Sequence, residues 1–96
     1  MRVEYSKRAV ADLLKVSADS RSFGEDVTAA VEARIHEVIG HIADYPEAAA
    51  PVRDRPGMRV IPLIRYPYKV FYRILEGRVR ILHIRHTARR PWTKER

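Results

Sequence analysis

The chain has 96 residues, 46% of them hydrophobic, and a formal net charge of +7. That length allows one domain, residues 1–96, with a modest core that needs neither metal nor disulfide. The lack of cysteine excludes disulfides and cysteine-bound zinc. No apolar run reaches membrane-spanning length, and the N-terminus, MRVEYSKRAV, has no apolar signal region, so a cytoplasmic protein with no membrane contact is expected.

The charge is unevenly placed. Residues 1–58 carry 8 Lys/Arg and 10 Asp/Glu, a net −2, whereas residues 59–96 carry 11 Lys/Arg and 2 Asp/Glu, a net +9. Such asymmetry points to an anionic partner. The chain also lacks Asn and Gln, the usual readers of adenine, which disfavours a sequence-specific DNA reader.

In chain order, Arg2–Tyr5 alternates polar and apolar residues and predicts a short strand, followed by Ser6 at an N-cap position. Val10, Leu13 and Leu14, with Ser17, have the spacing of a helix, and residues 19–24 read as its closing turn. A second helix is predicted from the stripe Val27, Val31, Ile35, Val38, Ile39 and Ile42. Ser22 with Glu25 matches a capping box at its start, and Tyr45-Pro46 ends it. The short turn between the helices predicts an antiparallel hairpin. Residues 44–57, with Pro46, Pro51, Pro56 and Gly57, read as a connector. Strands are predicted at about 58–65, 68–75 and 78–86, joined by connections short enough to force antiparallel pairing. Pro62 suggests an edge or a bulge. The fold class is therefore α+β, with a helical hairpin on one face of a small antiparallel sheet, in the order β-α-α-β-β-β.

Alternation in the strand at 68–75 separates Val70, Tyr72 and Ile74 from Lys69, Phe71 and Arg73. The first set, with Val31, Ile35 and Val38, is the expected core, and the second leaves two cations beside an aromatic ring. In the last strand Arg80, Leu82, Ile84 and His86 alternate with Val79, Ile81, His83 and Arg85. Both sets are half apolar, so the pattern does not orient the strand. His83 and His86 are three apart and fall on opposite faces, and no metal site or cofactor motif is predicted.

The stretch YKVFYRILEGRVRILHIRHTARRPW, residues 68–92, is a hairpin ending in a cationic tail. With the preceding strand and two helices it resembles the RelE/ParE superfamily, the toxin halves of bacterial type II toxin–antitoxin pairs. The resemblance covers nearly the whole chain. It implies the fold given above, a role in plasmid stabilisation or a related toxin–antitoxin function, and an acidic, ParD-like antitoxin as partner in a hetero-oligomer.

The superfamily has two activities. RelE-type members cleave mRNA on the ribosome without a metal, and ParE-type members poison DNA gyrase. By resemblance, Lys69 stands where RelE-type enzymes place a phosphate-gripping arginine. A nuclease here would draw on Lys69, His86, Arg89 and Arg90. The chain ends four residues after Trp92, with no C-terminal tyrosine, and its HxxRR tail resembles the ParE branch more closely. The resemblance therefore implies a gyrase inhibitor that acts by binding, with RelE-like mRNA cleavage as the alternative and a basic adaptor lacking both activities as a third reading. Lys69, Arg73, His86, Arg89, Arg90 and Trp92 are the expected target-binding residues. Val10, Leu13, Leu14, Val27 and Val31 are the expected antitoxin-binding residues.

Overall fold

The computed structural model describes residues 1–87; Arg89, Arg90 and Trp92 lie outside the described residues. Strand β1 (Arg2–Tyr5) leads into helix α1 (Lys7–Ser20), a 3-10 turn at Arg21–Phe23 and helix α2 (Glu25–Asp44). Strands β2 (Ala50–Pro51), β3 (Met58–Pro62), β4 (Tyr68–Leu75) and β5 (Arg78–His86) follow. The sheet order is β1-β5-β4-β3-β2. No helix among the described residues is long and apolar enough to cross a membrane.

Four features differ from the sequence expectation. The sheet is mixed rather than wholly antiparallel, because β1 pairs parallel to β5, with Arg2 opposite Arg78 and Tyr5 opposite Ile81. The parallel partner needs a crossover, and the helical hairpin between β1 and the hairpin strands provides it. The connector contains a two-residue edge strand, β2, paired with Val60 and Arg59 of β3. Strand β3 ends at Pro62, which supplies no N–H for a further ladder bond. Helix α2 is capped by Gly24 at φ +107° and not by Ser22, whose hydroxyl instead donates to the carbonyl of Asp19.

The face that α1 buries is one the sequence pattern did not assign. Ala9, Val16 and Ser20 are buried, whereas Val10 and Leu14 are exposed. Small Ala9 permits a close approach to the sheet, and Asp12, one turn on, is drawn to the β5 edge. The helices run antiparallel. Ser20 bonds to Thr28, and Ser17, one turn earlier in α1, bonds to Glu32, one turn later in α2.

The α2 stripe behaves as expected, with Val31, Ile35, Val38, Ile39 and Ile42 all buried. They pack on Val70, Tyr72, Val79, Ile81 and Ile84 of the sheet. Tyr72 is fully buried, yet its hydroxyl reaches the surface layer and donates to the carbonyl of Pro46 at 2.5 Å. Arg59 donates to the carbonyls of Glu47 (3.1 Å) and Ala49 (2.8 Å). These bonds fasten the proline-rich connector to the sheet and satisfy carbonyls that the connector cannot pair itself.

Replacing Ile35 by Ala removes a buried side chain at the helix–sheet contact and is expected to cost about 2–5 kcal/mol. Leu14→Ala, on the exposed side of α1, is expected to change stability by less than about 0.5 kcal/mol. Chemical denaturation of the two variants checks this. Equal effects would mean that the helix faces are assigned wrongly.

Candidate functional site

The register of the ladder builds the sheet face opposite the helices row by row. Lys69 pairs with Arg85, Phe71 with His83, and Arg73 with Arg80; Val60 of β3 adjoins Phe71, and Glu4 of β1 adjoins Arg80. Same-face neighbours along a strand are about 7 Å apart, so two cationic rows lie about 14 Å apart with an aromatic row between them. Phe71 and His83 have ring centroids 6.0 Å apart. Lys69 is exposed. Arg73 is half-buried and donates from Nη1 to the carbonyl of Pro56 at 3.1 Å. Its guanidinium lies against Gly57, where an added Cβ would come within 2.6 Å of Nη1 at a backbone φ of +81°. Gly57 therefore makes room for Arg73.

Glu4 was not a sequence candidate, because only the parallel pairing of β1 with β5 brings it to this face. Its carboxylate meets Arg78 at 2.6 Å, Arg80 at 3.1 Å and Arg2 at 4.0 Å. Partial desolvation pushes its pKa up, but the hydrogen bond from Arg80 and the charges of Arg78 and Arg80 hold it below the ordinary carboxylate value. An ionised carboxylate committed to arginines is a poor proton carrier. The face suits the gripping of anions better than acid–base chemistry.

The expected target set is divided by the sheet. Lys69 and Arg73 share the cationic face, but His86 pairs with Tyr68 on the helix side and stacks its edge on that ring at 5.2 Å. The cause is a bulge. Phe71 faces His83 and Tyr72 faces Ile81, which leaves Leu82 unmatched. The simple alternation therefore fails in β5. Val79 and Ile81 share the core side with Ile84 and His86, whereas by register Arg80 shares the outer side with His83 and Arg85; His83 is nonetheless buried, because beyond Ile81 the edge of β5 is not paired with β1 and Asp12 of α1 meets its ring there. Lys69 and His86 are thus not brought together as a nuclease set.

The expected antitoxin set is divided by burial. Val10, Leu14 and Val27 are exposed, together with Phe23, which is 75% exposed and was not anticipated because it sits in the turn. Leu13 is partly buried against the core, and Val31 is in the core itself at 3% exposure, so Val31 is not available to a partner. A groove of about 350 Å³ runs from Phe23 and Val27 to Tyr66, Pro67 and Tyr68.

Sequence reasoning also missed the tie between α1 and β5. Asp12 Oδ2 accepts the backbone N–H of Ile84 at 2.9 Å and lies 2.5 Å from His83 Nδ1. Arg8 stands 3.5 Å from the other oxygen. Burial disfavours a charged His83 and lowers its pKa below the ordinary histidine value; Asp12 opposes this shift, and Arg8 and Arg85 add to it. A base whose folded pKa is depressed contributes stability that is fully present above its unfolded value of about 6.5, and that is lost as pH falls through the folded value. The melting temperature is expected to fall as the pH is lowered from neutral through this range. His83→Gln, which does not titrate, is expected to show a shallower fall. Identical pH profiles would contradict the assignment.

This fold and its faces can be set beside known proteins. A chromosomal ParDE toxin–antitoxin system from P. aeruginosa superposes with a TM-score of 0.75 at 23% identity, over 90% of this chain and 95% of the other. The isolated E. coli RelE toxin superposes with a TM-score of 0.60 at 18% identity, over 96% of this chain and 88% of the other. At these identities the likeness establishes the fold. Among curated proteins none matches the chain in sequence. The model of the family described as ParE toxin of type II toxin-antitoxin system, parDE, matches residues 3–91. With the helical hairpin and all of the sheet but Arg2 inside that span, the chain belongs to the family of ParE toxins of type II toxin–antitoxin systems.

Proposed function

We propose that the chain arrests growth by binding DNA gyrase through the cationic sheet face, and that a cognate antitoxin neutralises it from the helical hairpin. The observation that carries this reading is the separation of chemistries between the two sides. Lys69, Arg85, Arg73 and Arg80 stand on one side of the sheet. The exposed apolar side chains Val10, Leu14, Phe23 and Val27 belong to the hairpin that covers the other. The cations suit an acidic protein surface, where complementary charge supplies rate and register. The apolar side chains suit an amphipathic acidic segment that folds as it binds. The toxin acts in the cytoplasm, and the antitoxin partner makes the stable form a hetero-oligomer. By resemblance to the family, Arg89, Arg90 and Trp92, which lie outside the described residues, also belong to the proposed target-binding set.

The family match and the ParDE superposition support a toxin with an antitoxin partner. Gyrase as the target rests on the ParE branch of the family. The RelE-like alternative has less support, because Lys69 and His86 stand on opposite sides of the sheet and Glu4 is held by arginines.

Lys69→Glu with Arg85→Glu is expected to abolish growth arrest on induction and inhibition of gyrase supercoiling, with the circular dichroism spectrum unchanged. A fully toxic double variant would place the target site elsewhere. Cleaved mRNA on translating ribosomes with gyrase unaffected would favour the nuclease. On the other side, Leu14→Glu with Phe23→Glu is expected to weaken antitoxin capture by at least tenfold while arrest persists. Undiminished capture would remove the hairpin from the antitoxin interface.

A further inference from the structure

We propose that Ile64 is an anchor that inserts into an apolar, carboxylate-rimmed pocket on the protein through which this toxin arrests growth. The proposal rests on the growth-arrest reading above and does not depend on that protein being gyrase.

Ile64 lies in the turn between β3 and β4. Its neighbour Leu63 is fully buried, and the Leu63 N–H donates to the carbonyl of Tyr68 at 3.0 Å. The Arg65 N–H donates back to the carbonyl of Leu63 at 2.8 Å, across Ile64 at φ +69°. An i to i+2 bond around a positive φ is the rare, strained form of γ-turn. A β-branched residue is poorly suited to that backbone, whereas glycine or asparagine adopts it readily. Ile64 is the only non-glycine residue with positive φ among the described residues.

The fold gains no burial in exchange, since Ile64 is 76% exposed. The strained turn is held from outside. Arg34 Nε donates to the same Leu63 carbonyl at 3.1 Å, and the Arg34 guanidinium is braced by Glu37 at 3.0 Å. A rare backbone state, locked by a helix and used to present a large apolar side chain to solvent, is the pattern of a site built for contact. Beside Ile64 lies a cleft of about 460 Å³, lined by Ile61 and Pro62 and, from α2, by Arg34, Glu37, Val38 and His41.

The charges nearby define the partner. Arg65 is exposed next to Ile64, and Pro62 is the cross-strand partner of exposed Lys69, which in turn pairs with Arg85. An apolar anchor flanked by cations fits an apolar pocket rimmed by carboxylates. Leu14 and Phe23, given to the antitoxin in the reading above, lie on α1 and in the turn before α2, whereas the turn that carries Ile64 leads into β4 at its Lys69 end.

The test compares wild type, Ile64→Leu and Ile64→Gly in the full chain. The readouts are growth arrest, capture of purified gyrase and melting temperature. Ile64→Gly relieves the strained φ and removes the anchor. It is expected to melt at the same or a higher temperature, to lose growth arrest and to bind the target at least tenfold more weakly, while Ile64→Leu behaves as wild type. Loss of arrest in Ile64→Gly, when even the wild type fails to capture gyrase, supports the anchor and removes gyrase as its target. Wild-type arrest by Ile64→Gly, or a marked fall in its melting temperature, overturns the anchor and leaves the gyrase reading standing. A wild type that causes no arrest overturns both.

Discussion

One unmatched residue in β5, Leu82, decides which chemistry each side of the sheet presents. Its carbonyl is not left unsatisfied, because the hydroxyl of Ser6 donates to it at 3.0 Å. The same hydroxyl accepts the N–H of Ala9 at 2.9 Å and so caps α1, and the Ser6 N–H donates to Ile81 at 3.0 Å. Helix start, strand bulge and crossover are thus fixed by one serine, in a class of cap worth about 1 kcal/mol. Past the bulge, Asp12 holds the edge of β5 that β1 does not reach, by accepting the N–H of Ile84. Without the extra residue, Arg85 would turn toward the helices and Ile84 away from them.

The bulge therefore permits a core side and a cationic side along the full length of β4 and β5. Arg73 and Arg80 are directly opposed like charges, an arrangement that costs stability by itself. Each guanidinium is drawn away from the other. Arg80 leans to Glu4 on β1, and Arg73 leans to Pro56 and Gly57. The cations are thereby held in place with their charge largely uncompensated, since Glu4 is shared by several arginines. Such preorganised, net positive charge suits recognition of an acidic surface. The exposed apolar side chains of the hairpin have a different character and suit a different partner. On the proposed reading these two surfaces are the toxin's two allegiances, to its target and to its antitoxin.

The long stripe of α2 was legible because a 20-residue helix with buried positions at regular spacing carries the strongest periodic signal in the chain. The β4–β5 hairpin was legible for a related reason, with two apolar runs around Glu76-Gly77, and β4 alternates cleanly. The buried face of helix α1 was not legible. Val10 and Leu14 are larger and more apolar than Ala9 and Ser20, yet the small residues are the ones that let the helix approach the sheet. Apolar residues that avoid the core look the same in sequence as those that form it. The bond from Ser6 to Leu82 at the bulge, the parallel seat of β1 and the bond from Asp12 to Ile84 join residues more than 70 positions apart and leave no local trace. For that reason Lys69 and Arg73 were found as neighbours, whereas Glu4, His83 and the true side of His86 emerged only from the folded chain.

The central claim is that target and antitoxin meet different sides of one small domain. Site-specific photo-crosslinking tests it most directly, with a photoreactive side chain placed singly at Lys69 or at Leu14 in cells that express the antitoxin at limiting level. The account predicts that position 69 crosslinks to gyrase and position 14 to the antitoxin. Crosslinking of gyrase from position 14, with none from position 69, would contradict it.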